Sequence, residues 1–195
     1  MPKHKSSIKF AAFLLFTLFL LLAAGADSQE LPDKIRGYKG YNANIRVESS
    51  PTTSKELDKE IATVTLGEPS IVEFGLSGLT FEVSAKIASL EKSGKVDFVA
   101  FRGFTVGGIP VEIEEYKHPF KFKKGHSTPL PVPARIFVRS TNLARAAFKE
   151  MVESEKEWPI AGTAFVFGQF KMFGFSFKRV IPVAIKINIP NPIRG

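Results

Sequence analysis

Leu79-Thr-Phe-Glu-Val-Ser-Ala-Lys-Ile87 alternates apolar and polar side chains without a slip. In an extended chain Leu79, Phe81, Val83, Ala85 and Ile87 share one face while Thr80, Glu82, Ser84 and Lys86 share the other, so the stretch predicts a half-buried strand. The same texture runs outward from it. Ile61-Ala-Thr-Val-Thr-Leu66, Ile71-Val-Glu-Phe74 and Val96-Asp-Phe-Val-Ala-Phe101 read as strands, as do Thr163 to Phe167, Lys171 to Phe177 and Val183 to Ile189. Gly67, Gly75, Ser93-Gly94, Gly103 and Gly107-Gly108 separate them as turns. One segment has another period: after a capping Ser140 or Thr141, Leu143, Ala147, Met151 and Val152 recur near helical spacing over residues 141–157, and Pro159 closes the helix. About seven strands with one short helix is the pattern of a mainly β, antiparallel sandwich. Phe81, Val83, Phe165 and Ile185 are its expected core residues.

The N terminus has a different character. Lys3, Lys5 and Lys9 precede an apolar run from Phe10 to Ala24 that ends in Ala24-Gly25-Ala26. A basic start, an apolar stretch short of a bilayer span and a small-residue ending predict an export signal over residues 1–26, with the mature chain starting near Asp27. An uncleaved N-terminal membrane anchor is the alternative. Either way the expected location is periplasmic or extracellular. Residues 27–60 are a polar lead-in with one edge strand at Asn44 to Val47, residues 61–190 the sandwich domain, and residues 191–195 a tail.

Removing the signal leaves 169 residues, enough for one core, and 24 basic residues against 19 acids, a net charge of +5. That balance favours an anionic membrane surface, a glycan or lipid as partner; nucleic acid suits an exported chain poorly. Cysteine is absent, so disulfide, thiol and zinc-thiolate chemistry are excluded. No catalytic or metal site is expected and no cofactor is implied. Beyond the signal only His118 and His126 remain, they lie in a Lys-rich stretch that repels cations, and no HExxH, calcium-loop, Walker or GxGxxG pattern occurs.

Two features bear on binding. Lys117-His-Pro-Phe-Lys-Phe-Lys-Lys-Gly-His126 places Phe120 and Phe122 on one side of a strand and Lys121 and Lys123 on the other. Lys117, Lys121, Lys123 and Lys124 are therefore candidates for contact with an anionic surface, or simply the solvated face of an edge strand. Phenylalanine occurs 19 times. Phe165 and Phe167 share a face of one strand and Phe173, Phe175 and Phe177 share a face of another, which is core filling or the lining of a hydrophobic groove that takes an acyl chain. An eight-stranded outer-membrane barrel is the right size but fits the sequence poorly, since lipid-facing strands of about 9 to 11 residues are expected there and the strands read here are shorter.

Phe120-Lys-Phe-Lys-Lys-Gly-His-Ser-Thr-Pro-Leu-Pro-Val-Pro-Ala-Arg-Ile-Phe-Val138, the helix opening at Thr141-Asn-Leu143, Trp158-Pro-Ile-Ala-Gly162, Val180-Ile-Pro182 and Ile187-Asn-Ile-Pro190 together resemble the type 2 late-embryogenesis-abundant family, also described as water-stress and hypersensitive-response domains. The likeness spans about Leu66 to Pro190. Where the family carries an Asn-Pro-Asn turn, this chain reads Ala88-Ser-Leu-Glu-Lys-Ser-Gly94. The resemblance implies an immunoglobulin- or fibronectin III-like sandwich, a role in stress protection without catalysis, and lipid binding as the alternative.

Overall fold

The computed structural model describes residues 33–49, 62–89, 92–152, 154–172 and 175–191. Among the described residues the fold is mainly β, with two layers of strands enclosing an apolar core and one helix. The expected signal peptide lies outside the described residues.

The first layer is a seven-stranded sheet built on two long strands, β14 (Glu157–Met172) and β15 (Phe175–Pro190). Its order is β1 (Lys34–Ile35), β2 (Tyr38–Gly40), β15, β14, β8 (Gly94–Val106) and β11 (Phe120–Phe122), with β9 (Ile109–Pro110) pairing the far end of β8. In the antiparallel register Ala164 faces Val183, Val166 faces Ile181 and Phe170 faces Phe177. Directly opposed residues share a face, so the even positions of β14 and the odd positions of β15 point inward. Ala164, Phe170, Ile181, Val183 and Ile185 are accordingly buried together.

The second layer is made of strands that kink at mid-length. One half pairs β12 (Ser127–Pro129), β7 (Ala85–Ser89), β4 (Ala62–Leu66) and β3 (Ile45–Glu48); the other pairs β10 (Glu112–Ile113), β13 (Ala134–Arg139), β6 (Gly78–Val83) and β5 (Ser70–Gly75). The stretch that reads as one strand from Leu79 to Ile87 is thus interrupted at Ser84. Its neighbours break beside it, at Gly67–Pro69 and at Leu130–Pro133. Gly67 N–H donates to Ser84 O at 2.8 Å and Leu130 N–H to Ala85 O at 2.8 Å, which stitches the two halves across the kink. A Cβ on Gly67 would stand 2.2 Å from Ser84 Oγ, so a larger residue here would have to turn the Ser84 hydroxyl aside.

Several expectations change. Residues 34–48 supply three strands rather than one, and β3 and β2 pair in parallel with β4 and β15, so the sandwich is mixed rather than purely antiparallel. Ile185 is buried as expected, but Phe81, Val83 and Phe165 are half-buried. The chain does not run straight from Lys171 to Phe177: Met172 and Phe175 are ladder partners, so it reverses between them. Asn191, first residue of the expected tail, is buried, and its amide donates to Glu150 Oε1 at 2.8 Å and Glu155 O at 2.7 Å.

The helix, α1 (Ser140–Val152), is shorter than its sequence suggests. Trp158 and Pro159 belong to β14 instead. Pro159 O accepts from Gly107 N–H, so the proline nitrogen faces the Gly107-Gly108 turn and the β14–β15 ladder loses no donor. The inward face also differs from the expected one. Asn142 Nδ2 donates to Pro110 O at 2.8 Å and Lys149 Nζ to Gly107 O at 3.2 Å, turning the 142/146/149 stripe toward the sheet. Ala146 is buried there, whereas Ala147, Met151 and Val152 are exposed.

Candidate functional site

Strand register gathers the basic and aromatic residues at one end of the sandwich. Gly94, the first residue of β8, pairs with Phe170 of β14 on one side and with Phe122 of β11 on the other. The Lys123–Gly125 turn and the tip of the β14–β15 hairpin therefore leave the sheet at the same end. Lys171 N–H still donates to Ser93 O at 3.0 Å. Beyond that bond the hairpin runs on as a two-stranded ribbon, because β15 meets its other neighbour only at Arg179, opposite Lys39.

On this ribbon Phe175 is 69% exposed and Phe177 36% exposed, with ring centroids 6.5 Å apart. Both lie on the inward face, and the Arg179 guanidinium stands 5.1 Å from the Phe177 centroid. Lys171 and Lys178 are exposed on the other face. Across the sheet Lys121 lies opposite Lys95, and Lys123 and Lys124 follow, exposed. From Trp158 to Gly195 the sequence contains no acid. Asp97 is close by but engaged: Lys95 Nζ lies 2.9 Å from Oδ1, and Tyr38 O–H donates to Oδ2 at 3.0 Å. Burial first, then the hydrogen bond to Asp97 and its charge, hold the Tyr38 hydroxyl above its usual pKa.

Behind the ribbon a small apolar cavity lies between the layers. Ile45, Val64 and Ile87 line it from one side, Phe170, Ile181 and Val183 from the other, and Lys92 and Arg179 bring charge to it. Lys92 Nζ donates to the Tyr41 hydroxyl at 3.0 Å. The cavity measures about 80 Å³, whereas a dry cavity of about 150 Å³ is what holds a benzene ring. It is too small for an acyl chain. A second hollow, about 220 Å³, lies on the polar outer face of β6 and β13, where Arg135 is already 3.4 Å from Glu73.

The candidate residues thus separate. Lys121, Lys123 and Lys124 are at the hairpin end, while Lys117 sits beside Tyr116, whose backbone bridges Val99 in mid-strand. The five phenylalanines do not line one groove. Phe165 and Phe167 point to the outer face and Phe175 and Phe177 to the inner, since the two pairs sit at ladder positions of opposite parity; Phe173 lies outside the described residues. Phe167 is not groove-lining at all: it is 2% exposed beneath Tyr38 and Phe98. Lys92, Lys95 and Arg179 join the site without having been legible as part of it; the run without acids from Trp158 onward is a signal for Arg179 alone, and nothing in the sequence singles out Lys92 or Lys95. His118 packs on Tyr116 at 5.4 Å and His126 Nδ1 lies 2.8 Å from Lys124 O, both exposed. Among the described residues no group of three or more His, Asp or Glu is placed to hold a metal ion, and no helix is long and apolar enough to cross a membrane.

No protein-family model matches the chain, and no curated protein matches it. A crystal structure of a protein from Archaeoglobus fulgidus is similar at a TM-score of 0.37 and 12% identity, covering 65% of this chain and 94% of that one. A likeness at that score decides nothing about function.

Proposed function

We propose that this chain is an exported, non-enzymatic β-sandwich, a stress-protective or binding module of the type 2 late-embryogenesis-abundant kind, which acts by contact through its basic, aromatic end and does not enclose a ligand. The observation that carries this reading is the pairing of an exposed Phe175–Phe177 ribbon among lysines with a cavity of only about 80 Å³ behind it. A carrier needs the reverse, a large enclosed pocket of roughly 300 to 1,000 Å³. Lys95, Asp97 and Tyr38 are engaged with one another, as are Lys92 and Tyr41, while the exposed lysines around them stay directed to solvent, which suits contact with a surface.

Organic extraction of the purified protein followed by mass spectrometry tests the contact reading against the carrier. No lipid at near-stoichiometric amounts is the expected result. Stoichiometric lipid, lost when Val183 is replaced by a charged residue in a still-folded protein, would establish a carrier instead. Export has its own test: N-terminal sequencing of protein from its native compartment is expected to start at or near Asp27. Recovery of cytosolic protein with Met1 intact would sink it.

A further inference from the structure

Resting on the contact reading above, we propose that the partner of the β14–β15 end is an anionic lipid bilayer, with Phe175 and Phe177 entering the interfacial layer and Lys171, Lys178 and Arg179 meeting the headgroup phosphates. Two rings in water at the end of an unsupported ribbon are a standing cost, because the apolar area they expose is recovered only by a partner. That partner must also be anionic. The ribbon carries three cations and no acid, Lys121, Lys123 and Lys124 stand at the same end, and the nearby Asp97 is taken by Lys95 and Tyr38.

Spacing selects a bilayer among anionic partners. A strand rises about 3.3 Å per residue, so Phe175 precedes Lys178 by roughly 10 Å and Arg179 by roughly 13 Å. The polar layer on each side of a bilayer is roughly 5 to 8 Å deep, and long basic side chains bend to reach it. With Phe175 at the hydrocarbon boundary, Lys178 and Arg179 therefore come level with the phosphates. A glycan has negative groups with no continuous apolar layer at that depth beneath them. The face division fits as well: Phe175 and Phe177 occupy one side of the ribbon and Lys171, Ser176 and Lys178 the other, so a tilted ribbon buries its rings while its amines stay in the headgroups. The more distant lysines of the β11–β12 turn add attraction within a Debye length of the surface.

The experiment is vesicle flotation of the protein recovered from its native compartment, so that every variant shares one N terminus. Vesicles are phosphatidylcholine alone or phosphatidylcholine with phosphatidylglycerol. Binding is expected for the anionic vesicles only and is expected to weaken as salt rises. Phe175→Ser with Phe177→Ser should lower partitioning at least tenfold, and Lys171→Gln and Lys178→Gln by roughly fivefold each. Phe74→Ser, at a side chain 80% exposed on β5, should change nothing. All five positions are exposed, and a thermal melt of each variant checks that it still folds. Phe175→Trp adds a direct readout: its emission should shift to the blue on vesicles, while Trp158, the second residue of β14 at the strand's opposite end, should not respond. Equal binding by the parent and the Phe175/Phe177 variant, equal binding to neutral vesicles, or no binding overturns the bilayer. If vesicles are ignored but the protein is held by heparin or polyglutamate, the partner is an acidic glycan or protein and the bilayer is wrong while contact through this end stands. Stoichiometric extracted lipid is a separate outcome and removes the contact reading itself.

Discussion

Phe167→Ala is expected to cost the fold about 3 to 5 kcal/mol, the range for deleting an enclosed phenylalanine ring and leaving its cavity. The ring is 2% exposed, stacked on Phe98 at 4.3 Å and met edge-on by Tyr38 at 5.3 Å. Its loss removes apolar burial and two ring contacts at once. Against a total stability of roughly 5 to 15 kcal/mol, such a change should move a urea midpoint far to the left. Phe81→Ala makes the comparison, because that ring is half-buried and should cost clearly less. If Phe167→Ala unfolds at the parent's midpoint, the cover of the outer face is absent in solution.

That cover explains how the sequence misleads about where the strongest packing lies. Alternation in β6 and β7 is visible because one side of those strands faces water, and it places Phe81 on the correct inward face. The outer face of the first sheet is apolar at Phe98, Phe167 and Val180 because side chains of the β1–β2 hairpin cover it: the Tyr38 ring meets Phe98 and Phe167, and Arg36, at φ 51°, sets its guanidinium 5.3 Å from the Phe98 centroid. Two strands of two and three residues leave no periodic trace in a sequence. Arg36 is held from the side by Glu115, 79 positions away, at 3.0 Å. Non-local contacts of this kind are invisible until the chain is folded.

The basic, aromatic end is legible in pieces. Alternation identifies the lysines of β11 and the phenylalanines near the C terminus, and both belong to it. What alternation cannot supply is the reversal between Met172 and Phe175, which sends Phe175 and Phe177 to the opposite face from Phe165 and Phe167 and turns a supposed groove into an exposed ribbon. A strand continued in register keeps its parity; a hairpin turn resets it. The helix shows the same limit. Helical spacing marks Ala147 and Met151 as an apolar face, yet the hydrogen bonds of Asn142 to the end of β9 and of Lys149 to the β8–β9 turn decide which face is buried.

Gly78→Ala should be as damaging as the loss of a core ring, for a reason that lies in the backbone. Gly78 has φ +155°, and a Cβ built there would stand 2.2 Å from Val138 O and 2.8 Å from the Phe137 ring. The unfavourable backbone costs about 1 to 3 kcal/mol for a residue with a side chain. Relieving the contact adds a second cost of about 1 to 3 kcal/mol, as overpacking does in a dense interior. Val138 O cannot simply retreat, because it belongs to β13, which is paired with β6 from Ala134 to Arg139. Moving it also disturbs the start of α1, where Ser140 N–H donates to Ser77 O at 2.9 Å. Gly75 is the internal control: it is Gly78's ladder partner across the turn, but a Cβ there meets nothing within 4 Å. Gly75→Ala should therefore stay within about 0.5 kcal/mol of the parent, as open surface positions do. Denaturant unfolding of the two variants side by side decides the matter, and equal midpoints would show that β6 and β13 are not packed as closely as their register requires.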